Sequence, residues 1–541
     1  MQRTDTSRYW PPAAGLLAAS AGLAFGELGG AIASGAGPVV VVGDAVVDRV
    51  PSSVKNWAIE VFGKNDKAAL IIGVLVIVAL SALFLGRVAS RRFSQAVAGV
   101  AGFSVIGVAA ALSGRSPTPR DLVGVASALV VTVFTLWVLV GRPGRPGHRG
   151  PTPWSPTTAL STAALSTTAS LTQSKPESMT ALPRRNFLVL GGGSAVAAAA
   201  AFGSSRVLVD DAATRTAQPI PEGVRRLPVK RASTEVDIDS MPPWLTATDD
   251  FYRIDTALII PRIDATTWKL NVVGRVDTPL AITYDALRNE TYGPLVEHDC
   301  TLMCVSNEIG GELVGNARWT GVRLRDILKR AGVQEGVDQL FLTSIDGFTA
   351  GFPVSVAQDE REALLVIGMN GEPLRARHGF PARLVVPGIY GYVSAVKWIT
   401  EMKLTTFEED TGYWIPRGWS QLAPVKTCSR IDVVGTGGRI SSTVTAGTVA
   451  IGGVAWAQHT GIAAVEVQID DEPWSPATLA GDGGIDTWRQ WKFLWSATPG
   501  KHRVRVRATD ASGFTQRGEP VAVAPDGAEG WHTVRVRVEE A

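Results

Sequence analysis

The sequence predicts a chain in three parts: a bundle of transmembrane helices at the N terminus, then an α+β domain, then a β-sandwich. Three observations predict it. The apolar residues are concentrated in long uncharged runs before residue 142; one amphipathic helix stands among strand-like runs after residue 240; and from about residue 440 the apolar period falls to two. A chain of 541 residues has room for three or four domains, and a formal net charge of +2 gives no reason to expect a nucleic-acid partner.

Four runs, 12–34, 68–86, 95–113 and 121–141, are almost free of charge. Each is close to the ~20 residues that cross the hydrocarbon of a bilayer. Residues 1–141 are therefore expected to hold four transmembrane helices. Residues 142–186 carry Pro143, Pro146, Pro151, Pro153 and Pro156 among many Ser and Thr, a composition that buries too little apolar surface to order itself, so this segment reads as a disordered linker. A weaker Ala/Gly-rich run over 187–206 follows Arg184-Arg185-Asn186-Phe187-Leu188. Two readings stay open there: a fifth transmembrane helix, or a twin-arginine export signal that would carry an already folded domain across the membrane.

Basic residues gather at Arg87, Arg91 and Arg92 and again in the linker. With basic loops retained in the cytoplasm, five crossings put everything after about residue 206 outside it, although Arg115 and Arg120 then fall in an external loop. No histidine precedes His148 and no Cys-x-x-Cys-His site exists, so the helices are expected to anchor the chain rather than carry haem electrons. Glu27 is the acid well inside a span. It reads either as a mark of a transport path or, with more weight, as a side chain satisfied by helix packing.

In the α+β domain, 240–430, strands are expected at 267–274, 339–343 and 382–387. A helix is expected from Thr320 to Ala331, where Leu324, Ile327, Leu328 and Ala331 share one face. Over 431–541, Val465, Val467 and Ile469, then Val504 and Val506, then Val534, Val536 and Val538 alternate with polar residues, as half-buried antiparallel strands do.

The chain has three cysteines, and Cys304 lies between an apolar strand-like run and the turn Ser306-Asn307-Glu308-Ile309-Gly310-Gly311. A thiol so placed suits a soft metal, and its spacing excludes most zinc sites; taken alone it also reads as a buried inert cysteine.

The surrounding motifs carry a resemblance. Cys304-Val305-Ser306-Asn307, Asn316-Ala317-Arg318-Trp319-Thr320-Gly321-Val322, His378-Gly379-Phe380-Pro381-Ala382-Arg383, Val386-Pro387-Gly388, Val396-Lys397-Trp398 and the closing Gly530-Trp531-His532-Thr533-Val534 resemble the sulfite oxidase family of molybdopterin enzymes, over about 245–541. The resemblance implies a mononuclear molybdenum bound by the pterin dithiolene and Cys304, with His378, Arg383 and Lys397 holding the pterin and its phosphate. It implies Arg253 beside the metal, Tyr413 as the active-site phenol, and an immunoglobulin-like C-terminal sandwich that mediates dimers in relatives, which makes a homodimer an option. It also implies oxygen-atom transfer followed by one-electron steps.

The chain departs from the family's animal members. Glu308 and Ile309 stand where those enzymes have arginines, an extra residue lies between Gly391 and Lys397, and Gly461-Ile462 stands where a pocket arginine is expected. Arg253, with Arg417 as a replacement, is left to hold an anion. The expected protein is thus a membrane-anchored, multi-pass molybdopterin oxidoreductase of sulfite oxidase type, its catalytic domain on the extracytoplasmic side. It would act on a small oxyanion or sulfur compound and pass electrons to a separate cytochrome or quinone-linked protein. A reductase of sulfoxides or N-oxides and a non-catalytic binding module are the rivals. A Cys300 to Cys428 disulfide is a further expectation outside the cytoplasm.

Overall fold

The computed structural model describes residues 10–33, 35–50, 54, 61, 66–113, 119–140, 192–201, 217–222, 224–226, 233–257, 260–261, 263–435 and 440–540. The chain divides into two compact units, 1–209 and 210–541.

Among its described residues the first unit contains four helices long and apolar enough to cross a membrane, Pro11–Ile32, Ala69–Ala89, Phe93–Leu112 and Asp121–Val140, which makes it compatible with membrane insertion. Small residues let two of them touch. A Cβ on Gly22 would stand 1.8 Å from Thr132 Oγ1, and one on Gly26 would stand 2.9 Å from Ala128 Cβ. Close backbone approach through such small-residue rows is how helices associate where lipid removes the hydrophobic drive. The stretch between the first two spans, which mixes charges in the sequence, folds into a further helix, Pro38–Arg49. Glu27 accepts the Val39 amide at 3.2 Å, and Asp121 accepts the Ala36 amide at 2.7 Å. Glu27 is therefore a side chain satisfied by packing, since it covers an amide in the first turn of that helix, which has no partner within it.

Of the 187–206 run the described residues form an apolar helix, Gly192–Ala201. The rest of that run, the 142–186 linker and the twin-arginine pair lie outside the described residues.

The described residues of the second unit form four sheets. In spatial order the first joins Arg225–Arg226, Leu295–Met303, Val314–Arg323, Leu364–Met369 and Arg383–Val385, with Glu372–Pro373 beside the fourth of these; the second joins Leu280–Thr283, Lys269–Gly274, Ile399–Thr405, Gln339–Ser344 and Thr349–Pro353. One apolar core serves both and includes Phe251, Trp319, Phe380 and Trp398, each at most 2% exposed. The expected helix begins at Leu324 rather than Thr320. Residues 320–323 continue the preceding strand, where Thr320 pairs with Glu297 on one side and Gly368 on the other, so ladder hydrogen bonds hold them extended.

After residue 428 the remaining two sheets share a second core. Cys428–Val434, Gly447–Trp456, Arg489–Ala497 and Thr478–Leu479 form one; Thr443–Thr445, His532–Glu539, Gly500–Asp510, Ile462–Ile469 and Ser475–Pro476 form the other. Ile431, Ile451 and Trp491 of the first meet Val467, Val506 and Val536 of the second, as the period of two requires.

The disulfide expectation is corrected: Cys300, Cys304 and Cys428 are all free thiols. Cys300 lies within the Leu295–Met303 strand with its thiol turned to the Thr301 carbonyl at 3.3 Å, whereas Cys428 opens a strand of another sheet opposite Trp456.

Candidate active site

The Leu295–Met303 strand ends at the mouth of a cleft, and Cys304 is the first residue beyond it. The turn that follows is tied by its own groups. The Cys304 amide donates to the Leu313 carbonyl at 2.9 Å, the Asn307 amide donates to the Cys304 carbonyl at 3.0 Å, and Asn307 Oδ1 accepts the Leu313 amide at 2.7 Å. The cleft encloses about 780 Å³ of empty space, part of it open to solvent. Cys304, His378, Arg383 and Lys397, which the sequence motifs single out, all line it.

Burial raises the Cys304 thiol above its ordinary pKa, against the pull of the Ser306 hydrogen bonds and the Lys397 charge. A metal bound there would remove the thiol proton outright. His378 is 1% exposed, and burial lowers it to about 4, so the ring is neutral at physiological pH. Its Nε2 meets the Thr248 carbonyl at 2.8 Å and must carry the proton, which leaves Nδ1 as the acceptor.

Arg383 is 6% exposed and its pKa is lowered to about 10, burial acting first and the Tyr252 and Asp255 fields opposing it. Three of the guanidinium N–H groups meet the carbonyls of His378, Ala395 and Leu384 at 3.2 to 3.4 Å, and the group lies over the Trp319 ring at 5.2 Å. A guanidinium has five donors, so two remain for a ligand. Lys397 is lowered to about 8, again mainly by burial, and its ammonium donates to Asp255 at 2.8 Å.

Asp255 is a hub the motifs do not reveal. It binds Lys397 and also Arg253, whose Nε and Nη2 reach its two oxygens at 2.7 and 3.2 Å. Arg253 is thereby turned toward Asp255, and its neighbour Tyr252 lines the cleft in its place. Tyr252 stacks on Phe251 with ring centroids 5.2 Å apart. Burial, then the field of Cys304, pushes its phenol well above the usual tyrosine range, so the hydroxyl stays protonated as a donor. Tyr413 stands behind the wall: the Arg417 guanidinium lies 3.7 Å over its ring and donates to its carbonyl, while Trp414 faces the cleft. Arg417 is thus engaged with Tyr413. Phe348, Tyr392 and Trp414 give the cleft an aromatic side opposite in character to its cationic one.

A family model described as the oxidoreductase molybdopterin binding domain matches residues 257–414. An oxidoreductase of Bacillus subtilis, YuiH, is 33% identical over 179 residues, covering 33% of this chain and 85% of that protein. The chain belongs to the sulfite oxidase family of molybdopterin oxidoreductases. Within that family, human mitochondrial sulfite oxidase is 28% identical over 382 residues, 60% of this chain and 68% of that protein. The crystal structure of the sulfane dehydrogenase SoxCD from Paracoccus pantotrophus aligns over 56% of this chain and 85% of that chain at 21% identity, with a TM-score of 0.47.

The family's cofactor is molybdopterin-bound molybdenum, and the cleft fits it. A thiol stands at the wall, a buried guanidinium keeps two donors for a phosphate, and a second buried cation lies beside it.

Proposed function

We propose that the second unit binds the cofactor through Cys304 at the metal and through His378, Arg383 and Lys397 at the pterin and its phosphate. The observation that carries this reading is the convergence of those four side chains, drawn from separate strands and turns, on one cleft. The bound cofactor supplies two-electron oxygen-atom transfer at molybdenum and one-electron release afterwards. The chain's own groups do the rest. Arg383 and Lys397 neutralise the phosphate, His378 offers Nδ1 as an acceptor and keeps its Nε2 proton on Thr248, and Tyr252 presents a neutral hydroxyl to whatever lies beside Cys304. Asp255 holds Lys397 and Arg253 in place.

The substrate in this reading is a small sulfur compound oxidised with water as the oxygen source, each turnover releasing two electrons and two protons. A second reading has an observation of its own. Arg253 is already paired with Asp255 and one side of the cleft is aromatic, a surface better suited to a neutral sulfoxide or N-oxide than to a doubly charged anion, which needs several charge-assisted donors. Reduction would then consume two electrons and two protons and release water.

The N-terminal helices are read as the membrane anchor, with the second unit on the extracytoplasmic side. Electrons pass to or from a separate cytochrome or quinone-linked protein. The C-terminal pair of sheets is read as an immunoglobulin-like sandwich open to homodimer formation. Metal analysis of the wild type and Cys304→Ser, with sulfite and methionine sulfoxide assayed in parallel, tests the reading. Molybdenum in the wild type and a large loss of metal or of turnover in the variant are expected; a metal-free wild type from a cofactor-competent host would overturn it.

A further inference from the structure

The turn that carries Cys304 is gripped from outside its own domain. On one flank, His532 lies so close to Gly310 that a Cβ there would stand 2.3 Å from the ring Cδ2 and Nε2. Gly310 has φ +74°, so glycine is needed for the backbone as well as for the space. The imidazole is fixed in turn, its Nδ1 accepting the Ile431 amide at 3.0 Å. Arg430, paired with Asp432 at 2.7 Å, donates from Nη1 to the Gly311 carbonyl at 2.8 Å. On the other flank, Trp456 Nε1 donates to Met303 Sδ at 3.0 Å. Two residues earlier, Thr301 gives its amide to the Asp486 carbonyl at 3.0 Å, takes the Trp488 amide on Oγ1 at 2.8 Å and takes Gln458 Nε2 on its carbonyl at 3.2 Å.

Every one of these outside partners comes from residue 430 or later, and together they bracket Cys304 at positions 301, 303, 310 and 311. We infer that the C-terminal β region is a brace that sets where the Cys304 thiol stands, with His532 and Arg430 as positioning residues on one side and Trp456 on the other. Neither His532 nor Arg430 lines the cleft, so each acts through the backbone of the turn. The inference rests on the reading of Cys304 as the metal's thiolate only for its consequence at the metal; the positioning itself belongs to the chain.

Space complementarity gives the test. In the full-length chain, His532→Ala opens a void beside Gly310, Gly310→Ala forces the imidazole away, and the double variant puts a methyl group back into the void. The first measurement is made on cofactor-free protein: the rate at which iodoacetamide labels Cys304, with the labelled peptide identified by mass spectrometry. Each single variant is expected to raise it by about tenfold through easier local opening of the turn, and the double variant to recover at least part of the difference. The second uses loaded protein, where the single variants keep their molybdenum but shift the molybdenum(V) electron paramagnetic resonance signal and the midpoint potential.

Wild-type labelling together with a wild-type resonance signal in both single variants would overturn the brace, as would a double variant no better than the worse single one, including failure of all three to fold. A wild type without molybdenum would sink the cofactor reading and leave the labelling result to decide the brace by itself.

Discussion

Asp255→Asn isolates the electrostatics of the cleft. In the wild type one carboxylate, 5% exposed, holds both Lys397 and Arg253. Breaking a buried ion pair by deleting one partner costs about 3–5 kcal/mol when the remaining charge has to stay. Lys397 has another course, because burial already lowers it to about 8. Giving up its proton costs the wild-type fold ~1.4 kcal/mol for each pH unit below about 8. The loss through the lysine is therefore capped at about 1 kcal/mol at pH 7 and about 3 kcal/mol at pH 6, and largely disappears near pH 8.

The sign agrees. A lysine lowered from 10.5 to about 8 leaves the unfolded chain binding more protons within that window, so stability rises with pH there. In the variant the window reaches lower, and its deficit closes as pH rises. Arg253, 29% exposed, adds a pH-independent ~0–1 kcal/mol. Tryptophan-fluorescence melting of the detergent-solubilised chain reads the result. At about 2 °C per kcal/mol for a domain of this size, the lysine's share of the Tm deficit is about 2 °C at pH 7 and about 6 °C at pH 6. A deficit that is flat from pH 6 to 8, or one above about 10 °C at pH 7, refutes the reasoning.

Tyr252→Phe is expected to lower kcat by about tenfold, the scale of one lost hydrogen bond to a charged or polar group, while Tyr413→Phe changes it less than about twofold; steady-state kinetics of both variants at matched molybdenum content distinguishes them. On acidification, His378 and His532, both lowered to about 4 mainly by burial, make the fold lose stability as pH falls from 6.5 toward 4, since the unfolded chain takes up their protons first. His378 alone accounts for about 3 kcal/mol of that loss, so urea midpoints measured between pH 7 and 4.5 are expected to fall less steeply in His378→Gln. Asp486, lowered to about 2 by its bonds to His298 and His459, adds a second loss below its usual 3.8. Alkylation without reductant is expected to find Cys300 and Cys428 both as thiols.

Composition made the four apolar helices legible, and the period of two made the strands after residue 440 legible, because burial on one face or all round leaves a direct mark on the order of residues. Cys304, His378, Arg383 and Lys397 were legible as motifs, and the cleft gathers them. The helix start at Leu324 was not, because the apolar period alone does not mark the first turn; β-branched Thr320 and Val322 and the intervening Gly321 favour the extended form, and the ladder to Glu297 and Gly368 holds it. Asp255 escaped notice since its meaning lies in Lys397, 142 residues away. Tyr252 and Arg253 are adjacent, and which of the two faces the cleft is decided by the carboxylate that turns Arg253 aside. His532 and Gly310 similarly acquire their relation only in the folded chain.

Thr301 has one more consequence. On its far side from the Val314–Arg323 strand, the Leu295–Met303 strand pairs, among the described residues, with Arg225–Arg226 at Val296 and Glu297. Beyond that point the Thr301 amide and carbonyl are taken by Asp486 and Gln458. Cutting the chain near residue 430 to obtain a minimal catalytic fragment would bare that stretch of strand, and an open edge is a template for pairing with another chain. Such a fragment is expected to aggregate on expression, so shortening this protein safely means trimming from the N-terminal side.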